Sequence, residues 1–135
     1  MQSQAEILEY QFQREIEVEN LPYKVVICDR SFDNYLYMER KFGHQQEYVD
    51  YILRYLINHP YTLIVKVPLV ENVLRYDGMR SVDVEFQKDI DNRITQFMEK
   101  HGIKSIILPA PVMPYREDWT YRILNHLKPY LPGLV

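Results

Sequence analysis

Three short apolar runs, Tyr23 to Cys28, Thr62 to Val67 and Lys104 to Leu108, are separated by long stretches whose apolar residues recur at helical spacing. That alternation constrains the chain more than any other feature. Runs rich in β-branched residues and bounded by turn signals suit strands buried on both faces. Strands that alternate with helices join through right-handed crossovers into a parallel sheet, so the expected fold class is α/β, a three-layer sandwich. Ligands of such sheets bind beyond the carboxyl ends of the strands. That rule directs attention to Asp29-Arg30, to Pro68 through Glu71, and to Pro109 through Pro111.

The helical stretches are well marked. Residues 3 to 19 lack Gly and Pro and place Ile7, Leu8, Phe12, Glu15, Ile16 and Glu19 at helical spacing, and Leu21-Pro22 ends the run. Residues 33 to 42 and 45 to 58 predict two further helices separated by Gly43-His44, the second carrying Tyr48, Ile52, Tyr55 and Leu56 on one side and stopped by His59-Pro60. From Asp83 to His101 the residues Val84, Phe86, Ile90, Ile94, Phe97 and Met98 mark a fourth. Gly102 stands where a left-handed C-terminal residue is expected. Residues 116 to 128, with Trp119, Ile123 and Leu127, form the last. At 135 residues the chain reads as a single folding unit.

Several function classes are excluded by what the chain lacks. A net charge of -3 with acids and bases interspersed gives no electrostatic footprint for a nucleic-acid polymer. The single cysteine, Cys28, forms no intramolecular disulfide and reads as a small buried hydrophobe, which fits a cytoplasmic location. No apolar run approaches the roughly 20 residues that cross a bilayer, so no membrane partner is expected. Histidines 44, 59, 101 and 126 have no partner at helical spacing and no Cys pair exists, which argues against zinc. Neither a nucleophile elbow nor a glycine-rich dinucleotide fingerprint is present.

What remains is charge at the ends of strands. A carboxylate and a guanidinium at the lip of an apolar run, Asp29 and Arg30, are costly unless solvated, paired or used. They read equally as a structural ion pair or as ligand contacts, since Arg forks onto phosphate and Asp holds a Mg²⁺-bound water or a sugar hydroxyl. Asp33 is expected to cap the following helix, with direct ligand contact as the alternative. In Arg75-Tyr76-Asp77-Gly78-Met79-Arg80 two cations flank a glycine turn, which suits a mobile lid over a migrating phosphoryl group or, alternatively, a solvated basic loop. Ser81-Val82-Asp83-Val84-Glu85 reads as a helix cap.

Together, VVICDRSFDNYLYMERKFG and RYDGMRSVDVEFQKDIDNRITQFMEKHGIKSIIL resemble the P-loop ATPase domains related to ribosylnicotinamide kinase, an AAA-type group whose wider relatives are the deoxynucleoside and thymidylate kinases. The resemblance implies transfer of the ATP γ-phosphate to a nucleoside or nucleotide, with Mg²⁺ and ATP as cofactors. It implies Asp29 and Arg80 as catalytic residues, Asp29 on the metal side, and Arg30, Asp33 and Tyr37 toward the acceptor substrate. Arg75, Arg80, Pro109 and Pro111 fall to the nucleotide and to a lid over about residues 72 to 83.

One departure is large. The phosphate-cradling pattern G-x-x-x-x-G-K-[ST] occurs nowhere, and the glycines are 43, 78, 102 and 133 alone. In relatives that segment brings the first strand, which lies between the counterparts of residues 23 to 28 and 62 to 67. The expectation is therefore a chain lacking its first strand and P-loop, inactive alone, with unpaired strand edges open to a second chain or a second copy. The alternative is a non-catalytic module on the same scaffold that binds a nucleotide or a protein.

Overall fold

Helix α1 (Gln4–Glu19) begins where Ser3 accepts a hydrogen bond from the Glu6 amide at 3.2 Å, satisfying one of the free donors of the first turn. This is a computed structural model, and it describes residues 3–68, 84–110 and 115–131. The chain divides into two compact units, Met1–Tyr61 and Thr62–Val135.

The first unit is helical. α1 turns Leu8, Phe12 and Glu15 inward, α2 (Asp33–Phe42) turns Asn34, Tyr35, Leu36 and Met38, and α3 (Gln46–Asn58) turns Val49, Ile52 and Tyr55. The spacing of three and four residues on each helix is what collects them into one core. Phe12 and Tyr55 stack with centroids 3.7 Å apart and planes 4° from parallel. Full burial of each such side chain contributes about 1.5–3 kcal/mol. Buried Asn34 is satisfied through Nδ2, which donates to the Ser31 carbonyl at 3.1 Å. Between α2 and α3, Gly43 at φ 86° and ψ 178° occupies backbone space that a side chain resists. The Tyr35 hydroxyl then accepts from the Gln45 amide at 3.0 Å, at the N-terminal end of α3.

The second unit holds the sheet. β1 (Val65–Lys66) and β2 (Ile106–Ile107) pair in parallel, Val65 opposite Ile106 and Lys66 opposite Ile107. The ladder extends one bond each way, from the Ile106 amide to the Ile64 carbonyl at 2.9 Å and from the Leu108 amide to the Lys66 carbonyl at 3.0 Å. Helix α4 (Val84–Lys100) buries Ile90, Phe97 and Met98, and its Asp91 pairs with Lys66 of β1 at 2.5 Å. Gly102, at φ 66°, ends it as expected. The Ile103 amide reaches back to the Met98 carbonyl and the Gly102 amide to that of Glu99, the paired closure a left-handed C-terminal residue permits. Helix α5 (Tyr115–Leu127) completes the described order. No helix among the described residues is long and apolar enough to cross a membrane.

Two expectations are corrected. Tyr23 to Cys28 is not a buried strand: it has no ladder partner among the described residues, and Val25, Val26 and Ile27 are 40%, 48% and 90% exposed. A β-rich run becomes a strand only where another backbone accepts from its amides and donates to its carbonyls, and none of the described residues does so here. Cys28 is accordingly only partly covered rather than a buried hydrophobe. The described sheet is a two-stranded parallel pair within a largely helical chain.

These placements separate two substitutions sharply. Phe12→Ala is expected to lower stability by about 3–5 kcal/mol, whereas Ile27→Ser, in a run that reads as core, should stay within about 0.5 kcal/mol of the parent. Urea unfolding followed by far-ultraviolet circular dichroism measures both.

Candidate functional site

Arg30 is the one described residue other than glycine with a positive φ, at 70°. Such a backbone costs of order 1–3 kcal/mol and persists only where its surroundings over-determine it. Here they do. Asp33 folds back on the turn with both oxygens, Oδ1 accepting from the Ser31 amide at 2.6 Å and Oδ2 from Arg30 Nε at 3.0 Å. The guanidinium lies 4.9 Å from the ring centroid of Tyr37, one helical turn beyond Asp33, a cation–π distance. The terminal nitrogens of Arg30 bond to no described residue, and the side chain is 46% exposed, so they are reachable from solvent.

This geometry answers two questions the sequence leaves open. Arg30 pairs with Asp33 and not with Asp29, which is exposed and bonds to no described residue. Asp33 is not the residue that caps α2: Phe32 holds that position without a side-chain bond, and Asp33, already inside the first turn, is committed to Ser31 and Arg30. Its charge still sits at the favourable end of the helix dipole.

Behind the turn lies a carboxylate that sequence reasoning missed. Glu15 is 8% exposed and accepts from Tyr55 Oη at 2.8 Å, from Tyr61 Oη at 2.6 Å and from Gln11 Nε2 at 2.7 Å. No described Lys, Arg or His pairs with it. Tyr61 spends its one proton on Glu15, so the 2.5 Å contact with Ser31 is made by the serine hydroxyl donating to the phenol oxygen. The second hydrogen of the Gln11 amide goes to the Arg30 carbonyl at 3.3 Å. A signal did exist: Glu15 falls on the same helical stripe as Leu8 and Phe12, where a carboxylate must find donors inside the fold.

Burial, and then the hydrogen bond to Glu15, push both the Tyr55 and the Tyr61 phenols well above the usual tyrosine range. Burial first, then the charge of Glu15 and its hydrogen bond, also raise the Cys28 thiol, so this cysteine is held protonated rather than reactive.

In the second unit Pro109 is exposed just past β2, and its carbonyl accepts from Trp119 Nε1 at 3.1 Å. Arg75, Arg80, Pro111, Glu71, the Ser81 cap and the lid over about 72 to 83 lie outside the described residues. The structure thus brings together Arg30, Asp33 and Tyr37 of the expected set, with Asp29 next to Arg30 in the chain and exposed. Among the described residues there is no group of three or more His, Cys, Asp or Glu able to hold a metal.

The sequence model of one protein family, described as an AAA domain, matches residues 1–116. No curated protein and no solved structure matches the chain.

The two buried phenols make stability depend on alkali. The unfolded chain loses these protons near the ordinary tyrosine value of 10 while the folded chain keeps them. Their contribution is therefore complete below that pH and declines above it. Denaturant titrations between roughly pH 8 and pH 11 should show this alkaline decline, shallower in Tyr55→Phe and in Tyr61→Phe than in the parent.

Proposed function

The chain belongs to the AAA-domain family, a P-loop NTPase type, and from that membership we propose that the Arg30 turn is the acceptor side of a nucleoside- or nucleotide-kinase-like domain. The observation that carries this is Arg30 itself. A guanidinium held at Nε by Asp33 and stacked on Tyr37 presents its outer nitrogens in one orientation, as recognition of a phosphate or carboxylate requires. Asp29, adjacent and exposed, contacts the acceptor hydroxyl. The three-layer arrangement of such domains, the lid cations Arg75 and Arg80, and the base-side loop with Pro109 and Pro111 belong to the same reading.

Magnesium asks little of the protein in such sites, keeping most of its waters and taking one or two carboxylates plus the substrate phosphates. A single exposed Asp29 fits that demand. An ion held at Asp29 would supply neutralisation of phosphate charge. The chain's own share is orientation: Arg30 fixes the acceptor, and Asp33 and Tyr37 fix Arg30.

No G-x-x-x-x-G-K-[ST] occurs in the 135 residues, and phosphoryl transfer relies on positioning and charge stabilisation of the β- and γ-phosphates. Loss of one preorganised donor costs roughly 2.7–4 kcal/mol of barrier, and here several are missing together. A second reading, a non-catalytic module that binds a nucleotide or a protein, is favoured by this missing motif together with the exposed Val25 to Ile27 run.

Calorimetric titration with ATP-Mg²⁺ and with nucleoside monophosphates, alongside a coupled kinase assay, tests both. The chain alone is expected to show no more than trace transfer. Monophosphate binding should weaken by about tenfold or more in Arg30→Ala, the scale of a lost charge-assisted hydrogen bond. Turnover near that of an ordinary kinase, about one per second or more, that disappears in Arg80→Ala would show that another segment makes the cradle. Monophosphate affinity unchanged in Arg30→Ala would remove the acceptor assignment.

A further inference from the structure

We propose that Glu15 is a positioning residue for Arg30, acting from within the core through two relays that grip the turn on both sides of the Arg30–Ser31 peptide bond. One relay runs from Glu15 Oε2 to Gln11 Nε2 at 2.7 Å and on to the Arg30 carbonyl at 3.3 Å. The other runs from Glu15 Oε1 to Tyr61 Oη at 2.6 Å and on to Ser31 Oγ at 2.5 Å. The two begin on different oxygens of a single carboxylate and end on adjacent residues of a single turn. That turn is the one with a strained, non-glycine backbone. The inference rests on the reading of Arg30 as the substrate cation, and gives that site its means of orientation.

Three features make the carboxylate suited to this and a neutral group unsuited. It is an acceptor at both ends and meets only donors, among them Tyr55, Tyr61 and the Gln11 amide. An amide in its place would present its NH₂ to one of the two relays. It has no counter-cation among the described residues, so the hydroxyl and amide bonds are what hold it. It is also nearly dry, so those bonds are made in a medium of low polarity.

Tyr55 provides an internal control. It donates to the same carboxylate at 2.8 Å, but no hydrogen bond among the described residues carries its hydroxyl onward to the turn. Tyr55→Phe and Tyr61→Phe each remove one hydroxyl bonded to Glu15, and only the second breaks a relay.

The readout is the side-chain Nε–H resonance of Arg30 in ¹⁵N-labelled protein, assigned with Arg30→Lys. In the parent this proton is bonded to Asp33 beneath the ring field of Tyr37, and it should be displaced from the bulk arginine signal and slow to exchange. The expected result is that Tyr61→Phe and Glu15→Gln return it toward the bulk position with fast exchange, while Tyr55→Phe leaves it in place. Inorganic phosphate, titrated against the same resonance, should bind Tyr61→Phe at least about tenfold more weakly than the parent, the lower end of what losing an orienting partner costs at other sites. If Glu15→Gln does not fold, the comparison of Tyr55→Phe with Tyr61→Phe carries the test alone. Equal effects of those two on the Arg30 signal, or no effect of either, would overturn the proposal. A collapsed signal in Tyr61→Phe together with a parent that ignores phosphate would uphold the positioning role and reject the anion-binding reading of Arg30.

Discussion

Burying a carboxylate with no cation beside it among the described residues is the demand around which the first unit is built. Glu15 can stay dry only because two helices and the loop beyond α3 deliver donors to it: Gln11 from its own helix, Tyr55 from α3 and Tyr61 from beyond α3. Each donor therefore fixes the place of the segment that carries it. The apolar packing around Leu8, Phe12, Tyr35 and Ile52 supplies most of the stabilisation, but packing is tolerant of small slips. A carboxylate with each oxygen committed to defined donors is not. The same group that selects one arrangement of the core thus reaches the surface as a rigid Arg30 turn.

Much of this was legible in the sequence, and the division between what was and was not follows the range of the interactions. The helices fall where apolar spacing places them, because the period of an α-helix is a local property. Gly102 takes the left-handed conformation expected of it for an equally local reason. The parallel pairing of the second and third apolar runs is also as the alternation of elements implies. Tyr23 to Cys28 fails because composition states a preference for extended backbone and says nothing of whether a neighbouring strand exists to complete it.

The candidate site divides the same way. Asp29 and Arg30 stand out as charges at the end of an apolar run, and Asp33 and Tyr37 follow at helical distances, so this outer layer is visible along the chain. The inner layer is not. Tyr55 and Tyr61 are separated from Glu15 by 40 and 46 residues, and nothing in either neighbourhood marks the tyrosines as partners of one carboxylate. The only local trace is an acidic residue on an apolar stripe. Such a trace poses a question of satisfaction and leaves the answering residues unnamed.

The uncovered stretch from Val25 to Ile27 bears on the chain's colloidal behaviour. Contiguous exposed β-branched residues outside any ladder among the described residues form the kind of segment that seeds cross-β assembly between molecules. Lys24 stands immediately before it, and Asp29 and Arg30 close behind it. Charges in those positions act as gatekeepers: stacking copies in register would align like charges on both flanks. Because Arg30 is tied to Asp33 and Tyr37, one of these guards is held in place by the site itself. Loosening the turn to change what it recognises would also weaken a barrier that keeps the chain dispersed.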